Sequence, residues 1–273
     1  MAAGLRVGSV PYVVGRPLDL GLGDEPGIEL VHAVPARLVD GLRDGSIDVA
    51  MVSSIELFRG PGYGYLAGLA VAGRGYVGSV QLFLRRPLER VERVAFDPAS
   101  RAAEALLRLL LADRPGGPPE SVELAPDEDP REVAADAWLR IGDRALLELH
   151  REHLPHFNPS REWTRRTGLP FVFAPWIVRP GVDVEPFLGA FHRARERGAA
   201  RVEAVIDEAA LRAELPRAVL ATYLGEECLY DLGDEMHESL TLFRDRAAEV
   251  GLCRPDLEPR AIGPRPGARA EHA

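Results

Sequence analysis

All 33 basic residues of this chain are arginine, and the sequence contains no lysine. This absence excludes Schiff-base chemistry, anchoring of pyridoxal phosphate, the lysine of a phosphate-binding loop and a lysine general base. Any cation in a binding site is therefore an arginine, whose planar guanidinium suits bidentate recognition of a carboxylate. A compositional bias of the genome also explains the arginine excess, so the excess alone does not indicate a function.

Cysteine is nearly as scarce, because Cys228 and Cys253 are the only two in 273 residues. Two thiols are too few for a disulfide framework or for a cysteine-rich metal site. The sequence also has no apolar run of about 18 residues, and residues 1–4 lead into a strand without a basic region followed by an apolar segment. We therefore expect free thiols, a cytoplasmic protein and no membrane partner.

Clustered positive charge is absent as well. The formal net charge is −9, the pI is near 5.4 and no basic run occurs. Because binding to nucleic acid needs clustered cations, we expect no nucleic-acid partner.

His150, His153 and His156 stand at steps of three, which on a helix favours a metal site. Pro155 interrupts that helix and no acidic ligand accompanies the histidines, so solvated side chains are the preferred interpretation.

The hydrophobic pattern predicts an α/β protein, and a hydrophobic content of 46% is ample for a core. The predicted strands cover residues 5–7, 28–34, 49–52, 66–71, 79–83, 93–96, 122–125, 137–141 and 167–176. The predicted helices cover residues 35–44, 101–111, 185–198, 201–213, 216–224 and 234–250, and a further acidic helix is predicted to begin at 127–130. Strands followed by helices suit two α/β lobes whose last segment folds back on the first.

The first predicted strand leads into a segment suited to binding an anion. The chain breaks at a glycine and a proline, passes Tyr12 and reaches Arg16-Pro17, a pair suited to opening a helix. At the carboxyl edge of a sheet, such a segment presents backbone N–H groups and one cation. We interpret it as one lip of an anion-binding cleft, and an ordinary strand, turn and helix start is the alternative.

Other polar residues stand at the ends of predicted strands or at predicted helix starts. Ser53 and Ser54 follow the third strand, and Ser79 enters its strand just after a glycine-rich turn. Ser100 is placed to cap the helix over 101–111, whose free N–H groups either bind an anion or belong to a merely capped helix. Asp143 either caps the helix that follows it or contacts a ligand.

Seven short motifs stand out along the chain. They are Arg6-Val7-Gly8-Ser9-Val10-Pro11-Tyr12, Arg16-Pro17-Leu18, Ser54-Ile55-Glu56, Gly78-Ser79-Val80, Ser100-Arg101, Ile141-Gly142-Asp143-Arg144-Ala145-Leu146 and Thr167-Gly168-Leu169-Pro170-Phe171-Val172-Phe173-Ala174. This set resembles the chorismate dehydratase family of the futalosine route to menaquinone. The motifs occur here in the same order as in that family, which argues against a chance match.

The resemblance implies an α/β, two-lobed, periplasmic-binding-protein type II-like fold, with mixed sheets flanked by helices and C-terminal helices packing back on lobe 1. Lobe 1 is expected at residues 1–86 with 177–256, lobe 2 at 87–176, and a disordered, proline-rich tail at 257–273. The implied reaction is loss of water from chorismate to give 3-[(1-carboxyvinyl)oxy]benzoate. It implies a hydro-lyase with a small dicarboxylate substrate and with neither metal nor organic cofactor; the oligomeric state stays open.

The resemblance also implies which residues line the cleft. Ser79 is the candidate catalytic residue. The candidate substrate-binding residues are Tyr12, Val14, Arg16, Ser53, Ser54, Ser100, Arg101, Ala102, Gly142 and Asp143. Ser79, Ser100 and the backbone N–H groups of residues 101 and 102 are expected to hold carboxylates, with Arg16 adding charge.

Three positions depart from the family's pattern. The family's asparagine, which acts at the reacting end of the substrate, is replaced by Val14, and two hydroxyl residues are replaced by Ala102 and Ala103. Each lost polar contact to a charged ligand costs about 1 to 3 kcal/mol. A second hypothesis is therefore a non-catalytic protein that binds a small carboxylate. A third is a sibling enzyme that cleaves dehypoxanthinyl futalosine, although the Ser-Val-Pro-Tyr and Ile-Gly-Asp-Arg-Ala-Leu matches favour the dehydratase.

Overall fold

Two β-sheets and the helices around them form the described part of the chain. The computed structural model describes residues 4–97, 99, 101–122, 124–125 and 128–264. The strands are β1 (Leu5–Ser9), β2 (Ile28–His32), β3 (Val49–Met51), β4 (Gly64–Gly73), β5 (Val80–Leu84), β6 (Arg93–Phe96), β7 (Glu120–Val122), β8 (Ala137–Ile141), β9 (His156–Phe157), β10 (Phe171–Val178), β11 (Cys228–Asp231) and β12 (Arg260–Ile262). The α-helices are α1 (Arg16–Asp19), α2 (Pro35–Asp44), α3 (Arg101–Leu110), α4 (Gly142–Glu152), α5 (Pro159–Thr167), α6 (Leu188–Ala200), α7 (Val202–Ala213), α8 (Arg217–Thr222) and α9 (Glu235–Glu249). Among these residues, every helix is too short or too polar to traverse a membrane.

The first sheet has seven strands in the order β11-β4-β10-β3-β1-β2, with β12 also paired to β4. β1 runs parallel to β2 and β3, and β10 runs antiparallel to β3 and β4. Val7 stands opposite Leu30 on one side and Val49 on the other. Every residue of β3 and β4 is buried. These strands are covered on both faces, so they are continuous apolar runs instead of alternating patterns.

The second sheet has five strands in the order β7-β6-β8-β5-β9. Its core includes Phe83 stacked on Trp138, with ring centroids 5.3 Å apart. Arg140 of β8 is also buried, and its Nε donates to Glu148 Oε1 at 2.8 Å while the guanidinium also pairs with Asp129. A buried guanidinium is tolerated only when carboxylates compensate its lost hydration, so these acids anchor the sheet around Arg140.

Strand pairing corrects the boundaries expected for the two lobes. β5 was expected in lobe 1, but it pairs with β8 and β9 of the second sheet. β10 was expected largely in lobe 2, but it lies between β3 and β4 of the first sheet. The chain crosses between the sheets at residues 74–79 and 158–170. The first crossing contains the glycine-rich turn, and the second contains Gly168-Leu169-Pro170. Both sequences interrupt the strand pattern.

The predicted tail is wrong for its first residues. Arg260–Ile262 form β12, which pairs in parallel with Gly64–Leu66 of β4. Leu257 and Ile262 are both buried. The segment is therefore held by apolar contacts and by backbone hydrogen bonds at an otherwise open part of a strand edge. Residues 265–273 of the predicted tail lie outside the described residues.

The C-terminal helices pack on the first sheet, as expected. Gly198 of α6 lies against Pro17 of α1, where an added Cβ would be 2.2 Å from the Pro17 carbonyl oxygen. Phe243 of α9 contacts Phe171 of β10, with ring centroids 4.9 Å apart, and Trp163 of α5 at 6.2 Å. The last helices thus close the core of the first sheet and bring distant sequence beside the crossovers.

Candidate active site

A cavity lies where strand ends from both sheets meet. It encloses about 700 Å³ that protein atoms do not fill, part of it open to solvent. On the side of the first sheet it is lined by Val71 of β4 and by Val10 and Val52, which directly follow β1 and β3. On the side of the second sheet it is lined by Val80 of β5 and Ile141 of β8. No described residue that lines the cavity carries a charged side chain. A bound anion would therefore meet neutral donors and apolar surface.

Three helices begin at this cavity, and Pro35 lines it as the first residue of α2. Ala102 and Ala103 line it from the first turn of α3, and Gly142 lines it from the start of α4. The N-terminus of a helix carries N–H groups without a partner in the helix and roughly half a unit of positive charge. The cavity is therefore suited to an anion, although the described residues of its lining include no cation.

Position 142 favours glycine because of its backbone conformation and because the Tyr12 ring lies close to it. Its φ angle is +65°, and an added Cβ would approach Tyr12 Cδ1 to 3.3 Å. The pKa of Tyr12 is raised to about 12, mainly by burial and also by the nearby carboxylates of Asp97 and Asp143. The Tyr12 phenol therefore keeps its proton near neutral pH and is available as a donor.

Ser79 joins three parts of the chain at the edge of the cavity. Its Oγ accepts a hydrogen bond from the Tyr223 hydroxyl at 2.8 Å, and its carbonyl oxygen accepts one from the Gly142 N–H at 2.8 Å. Ser79 and Tyr223 are both buried. The crossover, the start of α4 and the C-terminal segment are thus tied together at one serine.

Ser53 connects the first sheet to α3. Its Oγ accepts a hydrogen bond from the Ala102 N–H at 3.3 Å. One of the N–H groups expected to hold a carboxylate is therefore already bonded, while the proton of the Ser53 hydroxyl remains available to a ligand.

The cavity brings together six of the eleven candidate site residues: Tyr12, Val14, Ser53, Ser79, Ala102 and Gly142. The three positions that depart from the family's pattern all line it, since Ala103 is also part of the wall. Methyl groups therefore stand in this cavity where that pattern has an amide and two hydroxyls.

Arg16 and Asp143 line a neighbouring pocket, together with Val13. Arg16 Nη1 donates to Asp19 Oδ1 at 2.9 Å, and the same carboxylate accepts from Ser9 Oγ at 2.7 Å. Burial raises the pKa of Asp143, opposed by a hydrogen bond from the Val13 backbone. In this structure neither residue lines the main cavity, and the charge of Arg16 is paired with Asp19.

The remaining candidates lie elsewhere. Ser54 is buried, and its Oγ has no hydrogen-bond partner among the described residues. The Arg101 guanidinium lies 3.5 Å from Glu56 Oε1, and two further arginines pair with the same carboxylate. Ser100 lies outside the described residues.

Phe173, Tyr223 and Cys228 line the cavity although none of them was a candidate site residue. Phe173 belongs to the strand predicted over residues 167–176 and to the last of the seven motifs, but no site role was expected for it. Tyr223 and Cys228 come from the C-terminal third, and Tyr223 is 144 positions away from its partner Ser79. Tyr223 also begins a π-helical turn over Tyr223–Glu227, a local distortion that often marks a functional site.

The three spaced histidines fall in different places. His150 lies in α4, His153 ends that helix, and His156 lies in β9 with its Nε2 at 3.2 Å from the Tyr76 hydroxyl. Within the described ranges, no group of three His, Cys, Asp or Glu side chains is arranged to hold a metal ion.

The fold is similar to that of several solved structures. Protein AF1704 from Archaeoglobus fulgidus matches with a TM-score of 0.71 and 20% identity, covering 92% of this chain and 99% of that one. The alkanesulfonate-binding protein SsuA from Xanthomonas axonopodis pv. citri, bound to MOPS, matches with a TM-score of 0.66 and 18% identity, covering 95% and 96%. The periplasmic aliphatic sulphonate binding protein SsuA from Escherichia coli matches with a TM-score of 0.64 and 19% identity, covering 97% and 95%. The expected periplasmic-binding-protein-like fold is confirmed.

Sequence similarity extends over most of the chain. The family described as menaquinone biosynthesis matches residues 5–249. The chorismate dehydratase of Thermus thermophilus is 32% identical over 240 residues, which cover 78% of this chain and 87% of that protein. Because the family match covers residues 5–249 of 273, the chain belongs to the menaquinone biosynthesis family.

Proposed function

We propose that this chain is a chorismate dehydratase, a hydro-lyase that eliminates water from chorismate to give 3-[(1-carboxyvinyl)oxy]benzoate in menaquinone biosynthesis. The observation that carries the proposal is the uncharged cavity at the N-termini of α3 and α4, with Ser79 and Tyr12 in its wall, in a chain 32% identical to a chorismate dehydratase. Chorismate carries two carboxylates, and the positive ends of α3 and α4 offer a place for each, with the Ala102 and Gly142 N–H groups themselves already donating to Ser53 and Ser79.

The reaction fits a site that binds and orients its substrate. A proton and a hydroxide leave adjacent ring carbons, and the ring that remains is aromatic. No carboxylate or imidazole is found among the described residues that line the cavity. The contribution of the wall is therefore to hold the dianion in one orientation, with fixed dipoles that act strongly where water is scarce.

Ser79 is the proposed contact for a substrate carboxylate. It is 5% exposed, it lines the cavity, and its position is fixed by hydrogen bonds to Tyr223 and Gly142. Hydrogen bonds to charged groups contribute about 1.5 to 3 kcal/mol, more than those between neutral groups. A fixed hydroxyl at the edge of an apolar cavity therefore supports both affinity and orientation.

A second candidate function is a non-catalytic protein that binds a small carboxylate. The observation that favours it is the methyl-rich wall at Val14, Ala102 and Ala103, where the family's pattern has polar groups. Such a protein would keep the cavity and the helix N-termini but would lack groups that act at the reacting end of the substrate.

The deciding experiment incubates the purified chain with chorismate and follows the benzoate product by liquid chromatography. Formation of product with wild-type protein is expected and excludes the binding-only function. Thermal stabilisation by chorismate without product supports the carboxylate-binding alternative. Cleavage of dehypoxanthinyl futalosine without turnover of chorismate supports the sibling enzyme.

Replacing Ser79 by alanine tests the proposed contact. We expect kcat/KM to fall about 10- to 150-fold, the equivalent of one hydrogen bond to a charged group. Ser239→Ala is the matched control, because Ser239 is also buried but donates to the Pro170 carbonyl oxygen at 2.6 Å, away from the cavity. Unchanged kcat/KM in Ser79→Ala would remove Ser79 from the site.

A further inference from the structure

We propose that Tyr223 is a positioning residue: its hydroxyl donates to Ser79 Oγ and thereby directs the proton of the Ser79 hydroxyl into the cavity, towards a substrate carboxylate. The inference rests on the proposed function and assigns a role to a residue that no sequence motif marks. Tyr223 acts here through Ser79, and it is not required to contact the reacting atoms.

The contact between the two hydroxyls is short and enclosed. Tyr223 Oη lies 2.8 Å from Ser79 Oγ, and the two residues are 2% and 5% exposed. Both also line the cavity. The hydrogen bond therefore lies in the wall itself, where bulk water does not compete for it.

The direction of this hydrogen bond follows from the surroundings of Tyr223. Burial raises the pKa of Tyr223 well above its ordinary value, so the phenol keeps its proton. Burial also raises the pKa of the neighbouring Cys228 thiol to about 12, and a protonated thiol is a weak acceptor. The phenol is within hydrogen-bond reach of both Cys228 Sγ and Ser79 Oγ, and the serine oxygen, at 2.8 Å, is the stronger acceptor, so Tyr223 donates to Ser79. A serine hydroxyl has a single proton, and that proton is then free to point into the cavity.

A second contact holds the same two segments together. Glu227 ends the π-helical turn that Tyr223 begins, and its Oε2 accepts a hydrogen bond from the Gly78 N–H at 2.6 Å. Gly78 directly precedes Ser79, so the turn Tyr223–Glu227 binds two consecutive residues of the crossover. The widened turn thus places Tyr223 opposite Ser79, and Glu227 fixes the crossover against it.

A double-mutant cycle in the full-length chain tests the inference. Ser79→Ala, Tyr223→Phe and the double variant are compared with wild type for kcat and KM on chorismate. We expect Tyr223→Phe to lower kcat/KM about 3- to 12-fold, because the Ser79 hydroxyl becomes free to rotate away from the substrate. We expect the double variant to match Ser79→Ala within about twofold, because Tyr223 has no effect once its partner is gone.

Tyr65→Phe is the control for a lost buried phenol. Tyr65 is also 2% exposed, and its hydroxyl lies 3.1 Å from His237 Nδ1, but it does not line the cavity. We expect its kinetics to stay within about twofold of wild type while its stability falls by an amount similar to that of Tyr223→Phe. Tyr223→Phe retains the aromatic ring and loses only the hydroxyl. The free energy of unfolding of each variant, measured with denaturant, shows whether a loss of activity comes from a destabilised fold or from the lost hydrogen bond.

Three results would overturn the inference. Tyr223→Phe with wild-type kcat/KM shows that the hydroxyl is not needed. Losses that multiply in the double variant show that Tyr223 does not act through Ser79, while the proposed function stands. If the wild-type protein does not turn over chorismate, the same four proteins are compared for chorismate binding by calorimetry. If the wild-type protein does not bind chorismate, both the proposed function and the role of Tyr223 are refuted.

Discussion

Replacing Val14 by asparagine introduces an amide at the one cavity position where the chorismate dehydratase pattern has asparagine. Val14 is 8% exposed, lines the cavity and lies in the 3₁₀ turn Val13–Gly15. Asparagine and valine are similar in size, so the wall keeps its shape. We expect kcat/KM for chorismate to rise about 10- to 150-fold, because a new hydrogen bond to a charged substrate contributes about 1.5 to 3 kcal/mol.

The same substitution is expected to cost stability in the free protein. Val14 loses its buried apolar surface, and an amide without a partner costs about 1 to 3 kcal/mol. We therefore expect the free energy of unfolding to fall by about 1 to 3 kcal/mol, measured by urea denaturation.

Val13→Asn is a close control for this prediction. Val13 is also 8% exposed and belongs to the same turn, but it lines the neighbouring pocket. It is expected to lose similar stability without any gain in kcat/KM. The reasoning fails if Val14→Asn is no more active than wild type, or if Val13→Asn gains as much.

Two further predictions concern the packing of α6 and the pH dependence of stability. Gly198→Ala is expected to lower the free energy of unfolding by about 1 to 3 kcal/mol or more, because the new Cβ would lie 2.2 Å from the Pro17 carbonyl oxygen. Gly189→Ala in the same helix meets only a flexible side chain at 3.1 Å and is expected to be neutral or stabilising; equal losses in urea denaturation would contradict this. Burial raises the pKa of Glu227 above its ordinary 4.5, so the folded state binds a proton at this carboxyl more tightly than the unfolded state does. The tighter proton binding stabilises the folded state at low pH, and this stabilisation is lost as the pH rises from about 4.5. The free energy of unfolding of Glu227→Gln minus that of wild type should therefore increase with pH from pH 4 to 7, and a constant difference would refute this.

Several element boundaries follow directly from local sequence. The predicted helix 35–44 and the predicted strands 93–96 and 137–141 are confirmed with the bounds of α2, β6 and β8. Pro35 begins α2, and Gly45 follows its end in the left-handed conformation at φ +81°. These signals act within a few residues, so they can be read without knowledge of the fold.

Other elements depend on distant partners. The acidic helix start predicted at 127–130 is wrong for residues 128–130, which are not helical. Asp129 instead accepts from the Arg131 N–H at 2.9 Å and pairs with the buried Arg140. The guanidinium of Arg140 needs that carboxylate, and this tertiary demand outweighs local helix propensity. β9, β11 and β12 have two to four residues each and are held by the strands beside them.

The candidate site residues also divide into those that local sequence predicts correctly and those whose partners depend on the fold. The sequence predicted Ser79, Gly142 and Tyr12, because they stand at strand ends within recognisable motifs, and all three line the cavity. It also predicted Arg16 and Arg101, but carboxylates pair with both guanidiniums outside that cavity. A motif reports that a residue type is present, whereas the partner of an arginine depends on which acid folds beside it.

By itself, the sequence determined the α/β class, most strands and helices, the absence of lysine chemistry and the motifs that mark the family. These properties depend on composition, on hydrophobic period and on neighbours along the chain. Only the tertiary structure decided that Tyr223 meets Ser79, that helices α3 and α4 both begin at one cavity, and that its wall has no charged side chain among the described residues. The reason is that these relations arise where two crossovers and a returning C-terminal segment bring remote residues within hydrogen-bond distance, which no local pattern encodes.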